Sequence, residues 1–118
     1  MNKDRKITQG PVRAVRWMRK TAIIDAVGDI DLSTCPQFQQ SLLLTLDEQP
    51  KRLIVNLADV AYMDSSGVAT LVKVLRKVRA IGASMALVGM NDRVRSIFEI
   101  TKLDTFFEIH PTEKEAMA

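Results

Sequence analysis

Apolar and polar positions fall into two rhythms along the chain. VRAVRW (Val12–Trp17) and TAIIDAVG (Thr21–Gly28) are rich in β-branched and aromatic residues with partial alternation, which predicts an opening antiparallel hairpin. After GDID, Ser33 or Thr34 offers a cap, Pro36 fits a first helical turn, and Phe38, Leu42, Leu43 and Leu46 make a stripe that predicts a helix to about Glu48. Leu53–Leu57 is a short apolar run with the length of a buried strand. From Ser66 onward Val68, Leu71, Val72, Leu75 and Val78 share one helical arc, opposite Lys73, Arg76 and Lys77.

Gly82 marks a helix stop, and SMALVG (Ser84–Gly89) reads as another buried strand. Asn91 or Asp92 then caps DRVRSIFEIT, whose Val94, Ile97 and Phe98 point to the core. TFFEI (Thr105–Ile109) reads as a short edge strand, and Pro111 opens a final helix through EKEAMA. Two β-α-β crossovers imply parallel neighbours, so the expected fold is α/β with a mixed central sheet and about four helices. Loops GDID, YMDSSG and GMND are expected to gather at the carboxyl ends of the strands, where such sheets bind ligands and partners.

Composition narrows the function classes. The chain of 118 residues has room for one core, so a single domain over 1–118 is expected, with 1–11 as a flexible basic leading tail. Residues 1–20 hold seven bases against one acid, a net +6, and the remaining 98 hold ten bases against thirteen acids, a net −3. That leading segment fits either an arm for an anionic partner or, as charge runs at termini usually are, a solvated strand and tail. One cysteine, Cys35, and one histidine, His110, make neither a disulfide nor a zinc cluster, so no metal or cofactor is expected. No apolar run approaches the roughly 20 residues needed to span a bilayer, and a cytoplasmic protein without membrane insertion is expected. Trp17 without interleaved basic and aromatic residues gives no reason to expect direct nucleic-acid binding.

The chemistry concentrates in AYMDSSGVAT (Ala61–Thr70), an acid and two hydroxyls on the seam between two apolar stretches. One reading is structural: Asp64 or a serine caps the helix, and Gly67 permits close packing. A nucleophilic serine fits less well, because His110, the one base of its kind, is expected in a late loop before Pro111 and no G-x-S-x-G elbow is present. Neither G-x-x-x-x-G-K-[ST] nor G-x-G-x-x-G occurs, so the chain is not expected to be an NTPase, or an enzyme at all. The remaining reading makes a serine the acceptor of phosphate, adding a charge of about −1.5 to −2. Switching a partner off a thousandfold needs about 4 kcal/mol, more than a lost cap supplies, so repulsion or exclusion at the contact must contribute.

GDIDLS, the DSSG between strand and helix, GASMALVG and RVRSIFEITKLDTFFEI, in that order over Gly28–Ile109, resemble the STAS-domain family, and within it the anti-sigma factor antagonists. The resemblance implies a partner switch: the unmodified form binds an anti-sigma factor that is also a serine kinase and so releases a sigma factor. Phosphorylation then abolishes binding, and a metal-dependent serine phosphatase restores it. It places the phosphoacceptor at Ser65 and the partner surface at Asp31, Asp64, Ser66 and Gly67. A STAS component of a larger assembly, such as a lipid-transport ABC complex or a stress-signalling scaffold without phospho-switching, is the alternative.

Two positions depart from the family pattern. Lys102 stands where glycine often follows the threonine, so a left-handed helix end there costs roughly 1 kcal/mol or is remodelled. Val68 and Ala69 replace the common leucine and glycine, and Ala69 alters the nearest contacts available to a partner. Phe98, Phe106 and Phe107 are expected in the core and Trp17 as a packing anchor. Lys73, Arg76 and Lys77 read as a solvated face or a contact for an acidic partner, and Cys35 as an inert residue near a helix start.

Overall fold

A computed structural model describes residues 10–118. The hairpin forms from β1 (Val12–Met18) and β2 (Thr21–Ile30), and β3 (Arg52–Met63), β4 (Ser84–Val88) and β5 (Glu108–His110) complete a five-stranded sheet in the order β1-β2-β3-β4-β5. β1 and β2 are antiparallel and every later pair is parallel. The helices are α1 (Cys35–Asp47), α2 (Ser65–Ala80), α3 (Asp92–Ile100) and the single turn α4 (Glu113–Met117). The fold is therefore a mixed-sheet α/β domain with four helices among the described residues.

Period-two alternation sorts the strands' side chains onto two faces. One face carries Ala22, Ile24, Leu53, Val55, Leu57, Met85 and Leu87, which share a continuous core with Phe38 and Leu42 of α1, Leu71 and Val74 of α2, and Val94 and Phe98 of α3. The other carries Ile23, Ile54, Ala86 and Val88, which among the described residues form a small buried cluster with Ala116 of α4. Lys73, Arg76 and Lys77 are exposed on α2, and Arg79 lies over the Phe106 ring at 5.2 Å from its centroid.

Three differences from the expected elements have local causes. β2 and β3 run on to Ile30 and Met63 because they keep pairing through two register shifts, so the residues after Leu57 remain strand although they do not alternate between buried and exposed. The short edge strand expected at TFFEI forms but starts late, at Glu108: Phe106 closes a turn onto the Leu103 carbonyl, Phe107 is buried edge-on against Phe98, and pairing with β4 runs from Glu108 to His110. His110 consequently ends a strand instead of lying in a loop, with Nε2 2.8 Å from Glu108 Oε2.

Lys102 does adopt the left-handed conformation, φ 60°, at the end of α3. Leu103 N–H donates to the Phe98 carbonyl at 2.8 Å and Lys102 N–H to that of Glu99 at 3.0 Å, the paired bonds that close a helix when this residue turns left-handed. Gly82 does the same for α2 without a Cβ penalty, at φ 76°. Of the expected leading tail 1–11, residues 1–9 lie outside the described residues. Pro11 is buried, and its carbonyl accepts Val27 N–H at 2.7 Å.

Candidate functional site

The DSSG segment bridges the end of β3 and the start of α2. Asp64 N–H donates to the Ile30 carbonyl at 3.2 Å, which ties the turn to the end of β2. Asp64 then caps the helix: its Oδ1 accepts Ser66 N–H at 2.9 Å and Gly67 N–H at 3.4 Å, and also the Ser66 hydroxyl at 2.5 Å. Helix starts leave such amides without intrahelical partners, so the carboxylate stabilises α2 by about 1 kcal/mol.

The two serines differ in consequence. Ser66 is half-buried, with both its amide and its hydroxyl on Asp64. Ser65 is exposed at the first helical position, and among the described residues its hydroxyl makes no hydrogen bond. Gly67 is buried: a Cβ there would lie 2.5 Å from Met63 Cγ and 3.0 Å from Ile30 Cγ2. Its expected place on a partner surface is thus an inward one, since it seats α2 directly on the ends of β2 and β3.

Asp31 sits one residue past β2, beside that seam. Its Oδ1 accepts Ser33 N–H at 3.0 Å, the Ser33 hydroxyl at 2.7 Å and Thr34 N–H at 3.2 Å. These donors, the Ser33 hydroxyl foremost, hold the carboxyl below its ordinary range, so it is a fixed negative charge. Thr34 occupies the cap position of α1, but its hydroxyl accepts Asp31 N–H and donates to the Asp29 carbonyl instead of capping.

The expected three-loop cluster is reduced to two. GDID and YMDSSG meet where β2 and β3 end together, whereas β4 leaves the sheet opposite Asn56, well short of Met63. The GMND loop is therefore set back along β3, where Asn91 Nδ2 donates to the Val60 carbonyl at 3.1 Å and Asn91 caps α3. Two exposed apolar residues frame the surviving pair of loops: Leu32, 77% exposed, and Tyr62, 40% exposed. Leu32 is one of two apolar residues in the polar GDIDLS run, and its place after the last strand residue was the available signal. Tyr62 was placed at this edge by its position at the head of YMDSSG, although it lies in a strand that was expected to stop five residues earlier and not in a loop.

Among the described residues no group of three or more histidine, cysteine, aspartate or glutamate side chains could hold a metal ion, and Cys35 is buried. No helix among them is long and apolar enough to cross a membrane. The open cavity of about 560 Å³ lined by Leu46, Asp47, Pro50 and Ile81 lies beyond the far end of α2, about 24 Å from Ser65 along the helix.

The STAS domain model matches residues 14–116. The anti-sigma-B factor antagonist of Listeria monocytogenes is 33% identical over 99 residues, covering 82% of this chain and 87% of that protein. That of Staphylococcus aureus is 29% identical over 83 residues, 70% of this chain and 77% of the relative. Among solved structures, an anti-sigma factor antagonist from Mycobacterium paratuberculosis superposes with TM-score 0.80 at 23% identity, covering 87% of each chain. The antagonist SpoIIAA in its unphosphorylated form superposes at 0.75, with 24% identity over 87% of this chain and 90% of the other. The matched span includes every strand from mid β1 onward and both loops of the site. The chain belongs to the STAS domain family and, within it, groups with the anti-sigma factor antagonists.

Proposed function

We propose that this protein is a phosphorylation-controlled partner switch whose unmodified form binds an anti-sigma factor with serine kinase activity, and whose Ser65 takes the phosphate that ends the contact. A metal-dependent serine phosphatase resets it. The carrying observation is the contrast at the start of α2: an exposed, unengaged hydroxyl at Ser65 beside a hydroxyl already committed to Asp64. A relative of the same fold, the Bacillus cell fate determinant SpoIIAA, has been solved in a phosphorylated form, which supports the reading.

The sign of the switch follows from what surrounds Ser65. The binding edge joins apolar contact area, Leu32 and Tyr62, to two carboxylates, Asp31 and Asp64. Phosphate there adds about −1.5 to −2 charges to an edge that already carries fixed negative charge, and a partner would have to desolvate it to seat on the apolar residues. The fold itself tolerates the group, since it points into solvent.

Mass spectrometry of the tryptic peptide Leu53–Lys73, from protein isolated from its own cells, tests the assignment. Phosphate localised to Ser65 supports it. Its absence under several growth conditions shifts the reading to a fixed STAS component in a larger assembly, with Asp64 and the serines as cap and contact residues.

A further inference from the structure

Two hydroxyls follow Asp64, and their surroundings distinguish them. We propose that the Asp64 carboxylate is a specificity-determining group that confines phosphate to Ser65 by holding the Ser66 hydroxyl and repelling a phosphate at that position. This inference rests on the phosphorylation reading above. In the transfer, the accepting serine oxygen forms the new O–P bond, its proton passes to a base of the kinase, and the nucleoside triphosphate leaves as the diphosphate.

At Ser66 every part of that step meets Asp64. The hydroxyl proton points at Asp64 Oδ1, 2.5 Å away, and the side chain is half-buried. A phosphate there would replace the donated proton with a dianionic group against a carboxylate, an arrangement that like charges oppose strongly. The carboxylate cannot swing aside without releasing the amides of Ser66 and Gly67, and Gly67 packs the first turn of α2 closely against Met63 and Ile30. At Ser65 neither obstacle exists, because the hydroxyl faces solvent.

The test is a cycle of four proteins carrying phosphoserine, inserted during translation, at 65 or at 66, each with Asp64 intact or with Asp64→Asn. Asparagine keeps the cap acceptor and removes the charge. Phosphate at 66 is expected to lower the Tm by about 5 °C more than phosphate at 65, and Asp64→Asn to close most of that gap. Equal melting of the two phosphoforms, or a gap indifferent to Asp64→Asn, overturns the proposal.

In cells, Ser65→Ala with Asp64 intact is expected to leave Ser66 unmodified; phosphate on Ser66 in that variant also overturns it. Wild-type protein with no phosphate at Ser65 instead sinks the functional reading, and the choice of acceptor with it, even where the melting gap holds.

Discussion

The two faces of the sheet are held by different physics. On the face covered by α1, α2 and α3, the core is continuous from Val15 and Ile24 through Phe38, Leu71 and Phe98, all fully buried. On the face covered by α4, five residues are buried, Ile23, Ile54, Ala86, Val88 and Ala116, inside a polar frame. Arg16 pairs with both Asp25 and Glu113, Asn56 Nδ2 donates to Glu113 Oε2 at 2.7 Å, and Arg52 donates to the Ala116 carbonyl, to Ser84 and to Glu108. The two carboxylates raise the already high pKa of Arg16 further, Asp25 through its hydrogen bond foremost. Apolar burial builds the first face, and directed polar contacts pin a single helical turn to the second. The proposed switch sits on neither face but on the edge where β2 and β3 end, so charge can change there without disturbing either core.

The sharpest test of that division is a cavity on the first face. Phe38→Ala removes a fully buried ring from α1 and is expected to cost about 3–5 kcal/mol, a large share of the roughly 5–15 kcal/mol that holds a domain of this size together. Urea denaturation followed by circular dichroism measures it. A loss below about 1 kcal/mol would mean that this face carries far less of the stability than its burial indicates.

Next comes the edge. Ser65→Asp is expected to weaken binding to the anti-sigma factor at least about tenfold, roughly 1.4 kcal/mol, while the Tm stays within a degree or two. Aspartate carries one charge where phosphate carries nearly two, so the loss should be smaller than that caused by phosphorylation. Isothermal titration with the partner reads the first quantity and a thermal melt the second. Tight binding by a well-folded Ser65→Asp protein would remove charge as the cause of switching.

The same division explains what the sequence revealed. The first face was legible because its apolar stripes have clear helical and strand periods, and the cap at Asp64 was legible from residue type and position. The left-handed Lys102 could be anticipated from its departure from a family pattern, although nothing in its own side chain favours φ 60°. The second face was not legible. Arg16, Asp25, Asn56, Arg52 and Glu113 look like ordinary solvated residues in sequence, and only long-range pairing brings them together across as many as 97 positions. The reach of β3 to Met63 was hidden for a related reason, since Asp59 and the small alanines of ADVAY interrupt the buried-strand pattern and the segment is held by pairing with β2.

Arg52→Ala is the corresponding break on the second face. It removes donors to the Ala116 carbonyl at 3.1 and 2.8 Å and the pair with Glu108, and is expected to cost about 1–2 kcal/mol, well below Phe38→Ala. Amide hydrogen exchange should show where the loss falls: the amides of Ala116 and Ala118 gain exchange first, while those of α1 and α2 keep their protection. Uniform loss across all helices would mean that α4 and the main core unfold as one unit.

The smallest expected effect is electrostatic and sharpens the same contrast. Arg52 first, then His110, hold the Glu108 carboxyl below its ordinary value, against an opposing push from burial. A lowered pKa in the folded state means that the charged form is favoured by folding, so this stabilisation is fully present above the ordinary carboxyl value of 4.5. It disappears as the pH falls through the lower folded-state value. Because the Glu108 side chain is 43% exposed, solvent screens the pair and the contribution should amount to a few tenths of a kcal/mol. Glu108→Gln removes that titration while keeping a polar side chain of the same length. The wild type should therefore melt slightly above the variant at pH 7, and the two curves should converge as the pH falls from 5 towards 3. A gap that stays constant over that range would assign the difference to packing or hydrogen bonding, and the second face would then owe less to charge than its arginines suggest.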